Sequence, residues 1–241
     1  MKITDNKDPM GAAIMDFYHH ATAARLRVLS SMFDEDEIPV PYLFRTFEEM
    51  PLLEQRALKM CRGDVLDVGA ASGCHSLALK QMGYMGQVAC LELSRLSCEV
   101  MKERGLNPVL CMDFFAQDDI GRYDTILFLM NGTSIIGKLA RIPMFFRRLN
   151  TLLKPGGQVL IDSSDLIYLY TEDDGTVNIP DVEDYYGEVD YRMQYKGIRG
   201  ERFDCLYLDF ETLQNSARIF GFKCELVQEG DHYDYLARIE R

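Results

Sequence analysis

A chain of 241 residues is longer than a minimal domain and shorter than two average ones, which predicts one core carrying an added or inserted segment. Hydrophobic residues make up 47% and charged residues 27%, too apolar for a disordered chain. The 26 basic against 38 acidic residues leave a net charge of −12, which argues against a broad positive field that gathers nucleic acid or anionic lipid.

Three zones follow in chain order. In the first, residues 1–62, apolar side chains at Ile14, Met15, Tyr18, Leu26, Leu29, Met32 and Phe33 predict a helix over Gly11–Phe33. The acidic run Asp34–Glu37 opposes the negative end of a helix and should stop it, leaving Ile38-Pro-Val-Pro41 extended. A second helix should start near Pro51 and end before Gly63, with Leu53, Ala57 and Met60 on one face. This zone is expected to be an N-terminal helical cap.

In the second zone, Val65–Val68, Gln87–Leu91, Pro108–Cys111, Thr125–Met130 and Gln158–Ile161 read as short, nearly continuous apolar strands. Ser72–Met82, Ser94–Arg104 and Lys138–Leu153 read as the helices between them. Apolar strands alternating with helices imply a parallel sheet covered on both faces, a doubly wound α/β domain. In the third zone, Glu188–Tyr195 alternates with period two, and Phe203, Cys205 and Tyr207 alternate again after a Gly-containing turn, which predicts an inserted hairpin. Thr212–Phe220 should be a helix capped by Asp209, followed by an antiparallel pair, Phe222–Val227 and Tyr233–Ile239. The α/β domain is therefore expected over 63–241, with an insertion at 165–210.

No stretch approaches the roughly 18 apolar residues of a membrane span, and the opening MKITDNKDP lacks a signal peptide's charged-then-apolar layout. Seven scattered cysteines include no C-x-x-C pair, as expected of reduced, mostly buried thiols in a cytoplasmic protein. No metal ligand set is expected.

Val65-Leu-Asp-Val-Gly-Ala-Ala-Ser-Gly73 runs a strand into a Gly-rich turn that opens a helix. Such a turn lets a ligand lie on bare backbone beside free helical N–H donors. The glycine register, Gly69-x-x-x-Gly73, is not the G-x-G-x-x-G of dinucleotide folds, and no P-loop is present. Asp67 within the motif would repel phosphate and suits a ligand carrying an ammonium group. Glu92 ends the second strand, about 20 residues on, where an acid can take ribose hydroxyls. Asp113 follows the third strand; it can accept from an adenine amino group beside Met112 or Phe114, or cap the next turn.

These residues resemble the class I S-adenosylmethionine-dependent methyltransferases, whose first motif is [D/E]-x-G-x-G-x-G. Asp67, Gly69 and Gly73 match it, and Ala71 replaces the middle glycine. Tyr123–Asn131 is similar to the fourth-strand motif and Leu152–Ile161 to the helix-to-fifth-strand signature; the match covers about residues 60–162. The resemblance implies a Rossmann-like sheet with an antiparallel last strand, N-terminal helices, and S-adenosylmethionine as cofactor. It also implies a cofactor site of Asp67, Gly69, Ala70, Ala71, Gly73, Glu92, Leu93, Asp113, Phe114, Met130 and Asn131. Within it, Asp67 would serve the methionine end, Glu92 the ribose and Asp113 the adenine.

Methyl transfer needs alignment of the acceptor with the departing sulfur, and a base only for an acceptor that arrives protonated. Asp165, after the fifth strand, is the first candidate for an acceptor-facing acid, with a helix cap or a solvated loop residue as its alternative role. His75, in the first turn of the helix after the loop, is the second candidate, as base or positioning group. Asn131-Gly132 suits either ligand contact or a plain turn, and Tyr18 and Arg45 either closure over the cofactor or packing. Tyr168, Tyr170, Tyr185, Tyr186, Tyr191 and Tyr195 make the insertion aromatic, fit for a lid over an amine-bearing acceptor or for a homodimer surface. The expected acceptor is a small molecule, with neither nucleic acid nor membrane as partner. Two alternatives share the fold: an aminopropyl transferase and a non-catalytic nucleoside-binding module.

Overall fold

The computed structural model describes residues 3–172, 174–179 and 185–241. Helix α1 spans Pro9–His20; Pro9 opens it and the Asp8 carboxylate caps it by accepting from the Gly11 N–H. It ends at Ala21, whose backbone is left-handed, so the helix expected over Gly11–Phe33 stops at His20. Leu26–Leu29 and Asp36–Ile38 are instead strands β1 and β2, paired antiparallel.

The physical reason lies across that pair. Arg27 donates to Glu35 and Arg25 pairs with Glu37, so the acidic run faces two arginines on the neighbouring strand rather than a helix end. Leu26, fully buried, also sits opposite Tyr195 of a distant strand, and this pairing outweighs the local helical tendency. After a turn of 3-10 helix at Val40–Phe44, α2 (Leu52–Met60) forms as expected.

The α/β domain follows the predicted alternation: β3 (Val65–Val68), α3 (Cys74–Gln81), β4 (Val88–Glu92), α4 (Arg95–Glu103), β5 (Val109–Cys111), β6 (Tyr123–Phe128), α5 (Ile142–Leu152) and β7 (Leu153–Ser164). Strand β7 is longer than the apolar run alone suggests. Then come β8 (Glu188–Tyr195), β9 (Ile198–Arg199), β10 (Phe203–Leu206), α6 (Phe210–Ile219), β11 (Lys223–Glu229) and β12 (Asp234–Glu240). Asp209 caps α6 by accepting from the Thr212 N–H.

The main sheet has seven strands in the order β11-β12-β7-β6-β3-β4-β5. Its five central and edge strands β3 to β7 run parallel, while β12 is antiparallel to both β7 and β11. Alternate strand residues point to opposite faces. Leu66, Ile126, Phe128, Val159 and Ile161 pack under Phe145, Phe146 and Leu149 of α5 and Leu213 of α6. Val65, Leu127, Leu160 and Leu236 pack under Leu53 and Leu58 of α2 and Leu79 of α3. Both faces are dry, as a parallel sheet requires.

A second, antiparallel sheet has the order β10-β8-β1-β2. It joins the N-terminal segment to the insertion, two stretches remote in sequence. Among the described residues, no helix is long and apolar enough to cross a membrane.

Candidate functional site

The carboxyl ends of β3, β4, β5, β6 and β7 share one edge of the main sheet, where ligands of such folds bind. Five acids, Asp67, Glu92, Asp113, Asp162 and Asp165, lie on or just after these strands.

At β3, the chain turns through Gly69 and Gly73 with φ of +73° and +80°. A Cβ on Gly73 would stand 2.3 Å from Leu106 Cδ1, just past α4, and 3.0 Å from Met101 Cγ on α4, so the start of α3 lies close against that helix where a side chain would crowd it. Ala71, in place of the usual middle glycine, also adopts a left-handed backbone at φ +49°. Its N–H is held by Glu92 Oε2 at 2.8 Å, which offsets the conformational cost. Ala70 is buried beside Cys90 and Met101. Asp67 is 2% exposed and accepts from Ser76 Oγ at 2.7 Å, so it anchors α3 as well as closing the strand.

Glu92 ends β4 half-buried, and its other oxygen accepts from the Ser94 N–H at 2.8 Å. Burial pushes this carboxyl above its ordinary value, against the N–H groups of Ser94, Ala71 and Leu93 that favour its charge. Leu93 lies between these two contacts. Asp113 follows β5 and accepts from the Phe115 N–H at 2.9 Å. The Phe114 ring is buried with Phe128 and Phe145, 5.2 and 5.9 Å away between centroids, so it packs in the core rather than standing open at the sheet edge. The large apolar run of the core claims it, leaving the half-buried Met112 beside Asp113.

After β6, Met130 and Asn131 both have left-handed backbones, at φ +67° and +57°. Asp162, near the end of β7, accepts from the Met130 N–H at 3.0 Å and from the Gly132 N–H at 2.8 Å. Ser164 Oγ donates to Asn131 Oδ1 at 2.8 Å. Desolvation pushes the Asp162 carboxyl up to about 7, against those two N–H donors. Nothing in the motif reading singled out Asp162, although a charged residue ending Val159-Leu-Ile-Asp162 is the same signal as Asp67 in its strand.

His75 takes a place other than that of an open base. It is 5% exposed, and its Nε2 lies 2.8 Å from Glu54 Oε2 on α2. Arg45 pairs with the same carboxylate and donates to the Tyr42 carbonyl at 2.7 Å. Burial alone would raise the Glu54 carboxyl, but the His75 hydrogen bond and the charges of His75 and Arg45 hold it below its ordinary value. This buried network ties the N-terminal segment to α2 and α3 beside the loop. Ile14, Leu43 and Val100 close over Ala71, and Ser72 Oγ donates to the Leu43 carbonyl.

Asp165 stands just past β7, half-buried, with Oδ1 accepting from the Ile167 N–H at 2.9 Å and from Tyr186 Oη at 2.8 Å. It caps a 3-10 turn, Leu166–Tyr170, and also holds the insertion. Tyr185 donates to Asp209 at 2.5 Å, and the Tyr170 and Tyr186 rings meet edge to face at 6.1 Å. Thr133 Oγ1, within 2.8 Å of the Leu206 carbonyl, fastens β10 to the β6 exit. The structure therefore gathers Asp67, Gly69, Ala71, Glu92, Asn131 and Asp165 at connected strand ends and withdraws Phe114 and His75 into packing. Tyr18 is partly exposed on α1.

A strip of bare backbone between Gly69 and Ile135, where a Cβ would stand 3.1 Å from Cδ1, and acids at successive strand ends suit a nucleoside with a cationic arm better than one with phosphates.

No family model and no curated protein matches the chain. Among solved structures, an S-adenosylmethionine-dependent methyltransferase from Bacteroides fragilis in complex with S-adenosyl-L-homocysteine is 54% identical, covering 99% of this chain and 97% of that one, at a TM-score of 0.93. Two remoter structures share the fold. The CcbJ methyltransferase from Streptomyces caelestis is 17% identical, with 98% of each chain covered and a TM-score of 0.61. The amino pentose methyltransferase CalS10 from Micromonospora echinaspora is 15% identical, with 83% of this chain and 94% of that one covered and a TM-score of 0.55. With the motifs, the sheet order and a relative of this identity over nearly its whole length, the chain belongs to the S-adenosylmethionine-dependent methyltransferases.

Proposed function

We propose that this methyltransferase acts on a small, amine-bearing acceptor and holds its cofactor along the carboxyl edge of β3 to β6. Asp67, Gly69, Ala70, Ala71 and Gly73 would take the methionine arm, with Met130 and Asn131 opposite. Glu92 and Leu93 would take the ribose, and Asp113 with Met112 the adenine. When bound, S-adenosylmethionine supplies an electrophilic methyl carbon on a cationic sulfur.

The acceptor reading rests on one observation: Asp165 and Tyr186 meet at the end of β7, with Tyr170 beside them. A carboxylate among tyrosyl rings favours an ammonium-bearing molecule. Asp165 can orient the nitrogen and accept its proton at a carboxylate oxygen, freeing the lone pair that reacts. The N-terminal segment (1–62) and the insertion (165–210) would form the acceptor's walls, and their shared sheet keeps the two together. His75, paired with Glu54, would position α3 rather than act as the base. A homodimer through the aromatic insertion and a cytoplasmic setting belong to the same reading.

Calorimetry tests the cofactor part. S-adenosylhomocysteine should bind the wild type, NAD should not bind comparably, and Glu92→Ala should weaken binding at least tenfold, or about 1.4 kcal/mol. Equal affinity for NAD, or unchanged affinity in the variant, would refute the assigned grip. For the acceptor, a panel of small amines, alcohols and thiols scored by released S-adenosylhomocysteine should give turnover with the amines.

A further inference from the structure

Two consecutive residues with side chains, Met130 and Asn131, occupy the left-handed region immediately after β6. Such a backbone costs of order 1 kcal/mol or more per residue and persists only where the surroundings over-determine it. Here the restraint is visible: one carboxylate, on the neighbouring strand, takes the N–H before Asn131 with one oxygen and the N–H after it with the other. Ser164 then fixes the Asn131 side chain from the same strand.

We propose that Asp162 is a positioning residue for ligand binding: its buried carboxylate brackets Asn131 and holds that residue's side chain at the cofactor edge of the crevice. The inference rests on the cofactor site assigned above. Asp162 itself is 9% exposed and touches the ligand only through the turn it shapes. A simple packing role would be served by an apolar residue, which brings no acceptor for either N–H. Asparagine keeps the size but has one oxygen, and its NH2 would face the other N–H.

The bracket is also sensitive to protonation. Burial raises the Asp162 carboxyl to about 7, and the groups whose charges reach it are Glu54 from α2, which adds to the rise, and His75 from α3, which opposes it. Tyr42, on the N-terminal segment, feels the Asp162 charge in turn, with Arg45 stacked on its ring. A neutral carboxyl has an O–H that needs its own acceptor, so on protonation one side of the turn is released.

The test measures S-adenosylhomocysteine affinity by calorimetry from pH 5.5 to 8.5 for wild type and Asp162→Asn. Wild-type affinity should rise several-fold as pH passes through about 7. In Asp162→Asn, affinity at pH 8 should be about tenfold weaker and nearly flat with pH. A variant that binds like wild type, or retains the same pH step, overturns the proposal and assigns the step to another group. Absence of binding by the wild type at every pH would instead refute the cofactor site. Should Asp162→Asn fail to fold, amide NMR on the wild type decides: the Met130 and Gly132 N–H signals should titrate together with one midpoint near 7, and independent or flat behaviour overturns the bracket.

Discussion

At the residue scale, the site turns on carboxylates whose partners differ in kind. Glu54 faces the Arg45 guanidinium and the His75 ring, whereas Asp162 accepts from two neutral backbone N–H groups. Their pH effects on stability consequently have opposite signs. For Asp162, the folded value lies above the unfolded one, so its contribution is fully present below the ordinary aspartate range and is lost as pH rises through about 7. Urea unfolding of wild type and Asp162→Asn at pH 5.5 and 8 should therefore show wild type losing ground to the variant at the higher pH. A gap that widens in favour of wild type would contradict this. The same pH rise is expected to strengthen ligand binding, a case of function held at the expense of stability. Asp67, Glu92 and Asp113 were legible because each ends or interrupts an apolar run at a motif position. The role of His75 was not, since its partner Glu54 comes 21 positions earlier, on a helix that only packing brings near.

At the element scale, the N-terminal segment is fastened beside the glycine turn. Arg45, Glu54 and His75 join the 3-10 turn, α2 and α3 through one buried carboxylate. Removing that charge leaves two donors facing a neutral group in a dry setting, so Glu54→Gln should destabilise by about 3 kcal/mol in denaturant unfolding near pH 7. Because Glu54 is held below its ordinary value, the wild-type advantage is present above about pH 4.5 and should shrink as the solution is made more acid. An undiminished gap at low pH would show that the pair is not the source. The helices and strands of the α/β domain were readable from periodicity alone, to within a few residues. Strands β1 and β2 were not, because Leu26-Arg-Val-Leu29 carries an ambiguous pattern and its decisive partner, β8, lies more than 150 residues away.

At the scale of the whole molecule, cofactor contacts would draw on β3 to β6 and on the N-terminal cover over Ala71, so ligand binding should stabilise the protein as a unit. At 100 times its dissociation constant, S-adenosylhomocysteine should add about 2.7 kcal/mol, which for a chain of this size raises the midpoint by roughly 5 °C in scanning calorimetry. A split transition, with one part unmoved by ligand, would mean that the second sheet unfolds independently.

The sequence by itself determined the doubly wound domain, the antiparallel closing pair, the glycine turn and the acids of the strand ends. Those signals are local: side-chain period, turn chemistry, and a charge placed where an apolar run stops. Only the tertiary structure decided that Phe114 belongs to the core, that His75 is spoken for by Glu54, that the N-terminal segment shares a sheet with the insertion, and that Asp162 grips the turn around Asn131. Each of these depends on which distant surfaces meet once the sheet is covered. Burial then sets both the partner a polar group finds and the ease with which it carries charge.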